Sequence, residues 1–262
     1  VSRYRNAPLK YVLFVANLAP TPMLGERATL DEIHERLRGD LPVREDLRDG
    51  DRDVATNVVG ARFVDARRSR AVSVMATGIA VDTTDYGEFT GFVELLALAL
   101  AAIAPLAQGR ECRRLGLRYV DEIRIPGARP GDIGQWQGWI DDGLLPPVAV
   151  RTPEHGARRE VAGALEDVRA GGFGVRFAWH TGDGYAVLPD GPLTIDNPCE
   201  PGPYFALDTD SYWAAGPADP ALTLADPELI ERVRSLHEPV QEYFEMSLTD
   251  RLRDDVFGGA TA

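Results

Sequence analysis

Residues 86–104 would be apolar on nearly every side of a helix, because Phe89, Phe92, Val93, Leu95, Leu96, Leu98, Leu100 and Ile103 leave little room for a polar face. A helix of this kind must be covered on more than one side. Glu94 and Pro105 interrupt the apolar run, which is short for a bilayer, so the pattern predicts a core helix rather than a membrane span. Asp85 and Glu88 have the spacing of a capping box at its start. Gly116-Leu117-Arg118-Tyr119-Val120-Asp121-Glu122-Ile123-Arg124-Ile125-Pro126 follows, and residues 113–125 read as a central strand.

The elements before this helix follow from the same periodicities. Leu9–Leu18 is rich in Val, Leu and aromatics and predicts a strand. Residues 30–38 predict a helix capped by Thr29, with Glu32 at the capping-box spacing. Residues 44–53 carry mixed charge and predict an exposed loop. Residues 56–66 and 71–81 predict a hairpin turned at Arg67-Arg68-Ser69. Strand, helix, strand, strand, helix, strand is the split β-α-β order of a ferredoxin-like layer over residues 1–126.

The second half predicts another antiparallel group. Trp136 and Trp139 mark a short helix within 133–140. Residues 158–169 fit helix or strand; the Ala170-Gly171-Gly172 turn before the clear strand 174–179 favours a hairpin. Residues 185–188 and 204–213 predict two further strands, separated by a Pro-rich loop. Asp226 and Pro227 open a last long helix with Leu229, Val233, Leu236, Val240 and Tyr243 on its buried face, and Pro239 is expected to kink or divide it. A final helical turn or two is expected within 249–257. The expected class is α+β, with antiparallel sheet and helices packed on one face. Residues 127–262 form either a second domain or a continuation of the first.

Composition narrows the function classes. The chain has 262 residues, a net charge of -13 and a single lysine, Lys10. That field repels phosphate backbones, so nucleic acid is not the expected partner unless Arg62, Arg67, Arg68, Arg70 and Arg118 make one basic face. Cys112 and Cys199 are far apart and belong to no metal-binding spacing, which suggests free thiols in a reducing cytoplasm. The first residues lack the apolar core of a signal peptide. No cofactor motif is present: the Gly-rich turns at 169–172 and 181–184 do not open a helix, as a phosphate loop must.

Several polar residues are candidates for chemistry. Asp208 and Asp210 lie two apart on one strand face, where paired carboxylates divide acid and base work or hold a divalent cation. The same spacing lets them pair with Arg118 and Arg124. His180, beside Trp179, is a general-base candidate, although a strand-end histidine is more often a hydrogen-bonded structural residue. Glu122 and Tyr119 complete the proposed catalytic set, with Trp179, Arg118, Arg124 and Tyr204 as pocket residues. Tyr4, Asn6 and Tyr119 are polar handles on apolar surroundings, a setting in which such groups usually complete structural hydrogen bonds. His34, His155 and His237 fall on expected helix surfaces or loops.

Four stretches together carry a resemblance: Arg3-Tyr4-Arg5-Asn6-Ala7-Pro8-Leu9, Gly116-Leu117-Arg118-Tyr119-Val120, Phe205-Ala206-Leu207-Asp208-Thr209-Asp210, and Leu236-His237-Glu238 with Phe244 and Leu248-Thr249-Asp250. In this order the chain resembles a sporadically distributed prokaryotic family of uncharacterised proteins of about this length. The resemblance spans nearly the whole chain and implies no particular activity. Asp121 and Glu122 depart from it, since that family usually has Asn then Arg there, and Lys10 or Tyr11 stands where a Glu is common.

The first functional expectation is an accessory or regulatory protein acting through a protein partner. The alternative is an enzyme or small-ligand binder with a pocket between the two strand groups, built from His180, Asp208, Asp210, Glu122 and Tyr119. A homo-oligomer is compatible with either.

Overall fold

The computed structural model describes residues 3–49, 57–145, 162–217, 219 and 222–261. Strand β2 (Leu9–Leu18) lies in the middle of a ten-stranded antiparallel sheet. Its Val12, Phe14 and Ala16 are fully buried, because alternate residues of a strand share a face and this face carries the helices. Burying a side chain such as Phe14 contributes about 1.5–3 kcal/mol. The hydrogen-bonded order is β3 (Val43–Asp49), β4 (Asn57–Val64), β5 (Arg70–Met75), β6 (Gly78–Thr83), β2, β7 (Glu111–Ile123), β10 (Gly202–Ala214), β9 (Phe173–Gly184) and β8 (Ala162–Val168). β11 (Leu222–Thr223) pairs with the start of β7. Separately, β1 (Arg3–Tyr4) pairs with β12 (Ala260–Thr261).

Helices α1 (Arg27–Leu37), α2 (Phe89–Ile103) and α3 (Glu228–Met246) share one buried cluster with the inward side chains of the sheet, Ile33, Leu96 and Val233 meeting the layer of Phe14 and Phe63. A second cluster, centred on Trp136, Phe177, Phe205 and Phe257, joins the far end of the sheet to α4 (Asp250–Asp255). By length and composition alone, residues 89–106 could cross a membrane, with a mean hydropathy of 2.0. Eight residues of α2, Phe92 and Leu96 among them, are buried within the protein.

The other sheet face is polar. Arg118 grips Asp208 through two bonds of 2.7 and 2.6 Å, Arg114 pairs with Asp210 at 2.7 Å, and Arg176 with Glu166 at 3.1 Å. Residues 185–201 cross this face as a strap. Leu193 packs on Val64 and Ala71, the Thr84 hydroxyl donates to the Thr194 carbonyl at 2.6 Å, and Ala186 N–H donates to Glu122 at 2.6 Å. The two strand groups are therefore joined edge to edge through β7 and β10, with Tyr119 opposite Thr209.

The α+β architecture with an antiparallel sheet and helices on one face matches the expectation; its detail does not. A ferredoxin-like layer needs four strands over residues 1–126, and among the described residues the large sheet takes six from that range, β2 to β7. Residues 43–49, expected as part of a charged loop, form edge strand β3; Arg44 pairs with Asp31 of α1 and Asp46 of its own strand, so the charge is held at an edge. Residues 71–81, expected as one strand, divide into β5 and β6. A Cβ on Gly78 would lie 2.3 Å from the Ala16 carbonyl oxygen, so the tight turn against β2 requires glycine. Residues 185–188 belong to the strap, while β9 continues to Gly184 against β10.

The helix caps also differ from expectation. Thr29 lies inside α1, and Asp85 pairs with Arg67 instead of capping α2. The Asp226 carboxylate accepts from Thr223, and α3 runs unbroken through Pro239. The hairpin reading of residues 158–169 holds over the described residues 162–168, and the short helix expected within 249–257 is α4, capped by Thr249.

Candidate functional site

A half-open cavity of about 830 Å³ lies where residues 4–9, the lead into α2, β7 and α3 meet. Strand alternation in β7 puts Leu115, Leu117, Tyr119, Asp121 and Ile123 on the helix side, so the strand delivers one hydroxyl and one carboxyl to this space. The segment before α2 supplies Tyr86, and the first residue of α2 supplies Phe89. His237 comes from α3, on the flank of the stripe formed by Val233, Leu236 and Val240.

Three of these groups form a hydrogen-bonded row. The Tyr119 hydroxyl is 2.9 Å from that of Tyr86 and 3.3 Å from Nδ1 of His237. Each hydroxyl has one proton, so the row has a direction: either Tyr119 donates to His237 while accepting from Tyr86, or His237 donates to Tyr119, which donates to Tyr86. The His237 ring stacks on Phe89 with centroids 3.9 Å apart and planes 11° apart. Burial pushes the His237 pKa down to about 4, which keeps the imidazole neutral near pH 7. Burial also raises Tyr86 to about 12 and holds Tyr119 well above the usual phenol value.

Asp121 is different. It is 5% exposed, lines the cavity, and has no hydrogen-bond or ion-pair partner among the described residues. Burial is the main cause that pushes its pKa up to about 7; the Asp208 carboxylate adds to the rise and Lys10 opposes it. A buried polar group without a partner costs free energy, on the order of 1–3 kcal/mol and more when charged. On the opposite wall Tyr4 donates to Glu245 at 2.9 and 3.1 Å, and Arg253 holds the same carboxylate.

The residues proposed from sequence do not converge. Tyr119 is in the cavity, whereas Asp208, Asp210, Glu122 and His180 lie on the opposite sheet face. The Asp208/Asp210 pair is bound up by Arg118 and Arg114. Glu122 is buried and accepts from Arg124 at 2.8 Å as well as from Ala186, so it anchors the strap. His180 meets Tyr204 edge-on at 5.7 Å. Of the expected pocket residues, Arg118, Arg124 and Tyr204 share that face. Trp179 points to the helix side, where its indole N–H donates to Leu144 at 2.8 Å and its ring fills the space that a Cβ on Gly163 would take.

The arginines that a nucleic-acid face would need are each paired with an acid: Arg62 with Asp82, Arg67 with Asp85 and Asp196, Arg68 with Glu45, Arg70 with Asp65 and Arg118 with Asp208. The most exposed large apolar side chains, Val168 of β8, Leu188 of the strap and Met246 of α3, come from three separate elements, while the less exposed Val43, Val58, Val59 and Met75 lie on the neighbouring strands β3, β4 and β5. His155 lies outside the described residues.

Asp121, His237 and Tyr86 are the residues that sequence reasoning missed. Alternation in β7 already placed Asp121 beside Tyr119, and helical spacing placed His237 four residues after Val233. Tyr86 had no signal of its own, since its role depends on contact with Tyr119. Among the described residues no group of three His, Cys, Asp or Glu side chains is placed to hold a metal ion. No family model matches the chain, and no curated protein matches it.

Proposed function

We propose that the protein binds a small organic molecule in the cavity between residues 4–9, the start of α2, β7 and α3. The observation that carries this reading is Asp121, a buried carboxyl without a partner on the wall of a space large enough for a ligand. Its oxygens open onto the cavity and are not sealed in the core, so their partner is water or a guest from outside the chain. The rest of the wall suits an organic guest: rings of Tyr86, Phe89, Tyr119 and Phe244 offer apolar area, and the Tyr–His row offers fixed polar contacts. Perturbed titration of Asp121 and His237 in one cavity supports the same assignment.

Membership in the sporadically distributed prokaryotic family is part of this proposal. Three of the four stretches that carry the resemblance contribute to the cavity, through residues 4–9, Tyr119, and His237 with Phe244. The pocket is thus moved from the space between the strand groups to the helix side of β7. A protein-partner role has less to support it, because the most exposed apolar residues, Val168, Leu188 and Met246, belong to three separate elements.

The test is a screen of small organic molecules against isotope-labelled protein, read at the ring signals of Tyr86, Phe89, Tyr119 and His237. Compounds that shift these rings together are expected. A screen in which bound compounds leave all four unmoved contradicts the proposal.

A further inference from the structure

We infer that the cavity selects an organic cation, an ammonium or guanidinium group attached to an apolar body. This inference rests on the ligand-binding reading above and narrows its chemistry. The lining contains five carboxylates, Asp85, Glu88, Asp121, Glu242 and Glu245, and one cationic side chain, Arg5. Three of the five are answered from outside the cavity: Asp85 by Arg67 at 2.9 Å, Glu242 by Arg169 at 3.2 Å and Glu245 by Arg253 at 3.2 Å. Glu88 is exposed at the N-terminus of α2, where the helix dipole favours a negative charge. Of the five, Asp121 alone is buried without a hydrogen bond or ion pair among the described residues, with Lys10 acting on it only from a distance.

An anionic guest would meet this excess of negative charge with, among the described residues, Arg5, the more distant Lys10 and the end of α2 to offset it. A neutral guest would leave Asp121 either protonated or uncompensated. A cation supplies the missing donor and countercharge in one contact. The rings act in the same sense, since their negative faces attract cations. Tyr86 and Tyr119 meet edge to face at 5.4 Å, so the two rings present differently oriented surfaces to a guest. The overall charge of -13 concentrates cations around the protein before they enter.

The experiment is calorimetric titration of the full chain at pH 7.5 with three probes of similar shape: phenethylamine, 2-phenylethanol and phenylacetate. The expected order is phenethylamine at least tenfold tighter than 2-phenylethanol, with phenylacetate weakest. Asp121→Asn keeps the shape of the side chain and is expected to reduce the preference for phenethylamine over 2-phenylethanol to less than twofold; a variant that keeps the tenfold preference overturns the inference. Equal or tighter binding of 2-phenylethanol or phenylacetate overturns the cation inference and leaves the cavity reading standing. Failure of all three to bind contradicts both.

Discussion

The Tyr119 hydroxyl and Nδ1 of His237 lie 3.3 Å apart although 118 residues separate them in sequence. This contact joins the central strand β7 to helix α3, and Tyr86 extends it to the segment before α2. Three of the four segments that wall the cavity are thus tied to one another by a single phenol. Tyr119→Phe removes that tie and leaves the Tyr86 hydroxyl and the His237 nitrogen without a protein partner. A loss of about 1–2 kcal/mol in urea denaturation is expected. An unchanged midpoint means that the row does not hold the wall together.

Asp121 makes a prediction of opposite sign. A carboxyl whose pKa is raised from 3.8 to about 7 by folding binds more protons in the folded than in the unfolded state between those values. Stability therefore falls as pH rises from about 4 to 7. Asp121→Asn removes this cost, so the ligand-free variant should be more stable than the parent at pH 7.5, on the order of 2–4 kcal/mol. The gain should shrink towards zero as the pH falls to 4. Denaturation midpoints across this range measure it, and a variant less stable at pH 7.5 contradicts the burial of an unpaired carboxyl.

His237 has the reverse linkage. Its folded pKa of about 4 lies below the ordinary 6.5, so the folded state binds fewer protons in that window and loses stability as pH falls through it. The ring should remain neutral at pH 5.5 by nitrogen-detected NMR. An imidazole that titrates near 6.5 shows that water reaches it freely.

On the opposite face, two carboxylates separate structural from marginal ion pairs. Glu122 has a side-chain exposure of 2% and holds Arg124 and the strap, whereas Asp208 and Arg118 are exposed to 26% and 44%. Glu122→Ala should cost about 3–5 kcal/mol, because it leaves a largely buried guanidinium unpaired. Asp208→Ala should cost less than about 1 kcal/mol. Faster amide exchange in residues 185–201 should accompany only the first.

β2, β7 and α3 were legible in the sequence because each shows its inward side chains at the regular spacing of its element. β3 was not, because its charges are satisfied by pairing at an edge, and a run of charges carries no mark of that. The division of 71–81 into two strands depends on how closely Gly78 approaches Ala16, which is a contact with another strand. The site divides in the same way. Tyr119 stands out in the sequence as a polar group in an apolar strand, but it does not act with Glu122, because alternation places the two on opposite faces. His237 read as a surface residue until the start of α2 supplied Phe89 to cover it.

A crystal structure of the protein soaked with phenethylamine shows most directly whether this cavity is a binding site. Density is expected for the phenyl group among Tyr86, Phe89 and Tyr119, with the ammonium within hydrogen-bond reach of the Asp121 carboxylate. A well-occupied probe bound elsewhere on the protein, with the cavity filled only by water, would contradict it.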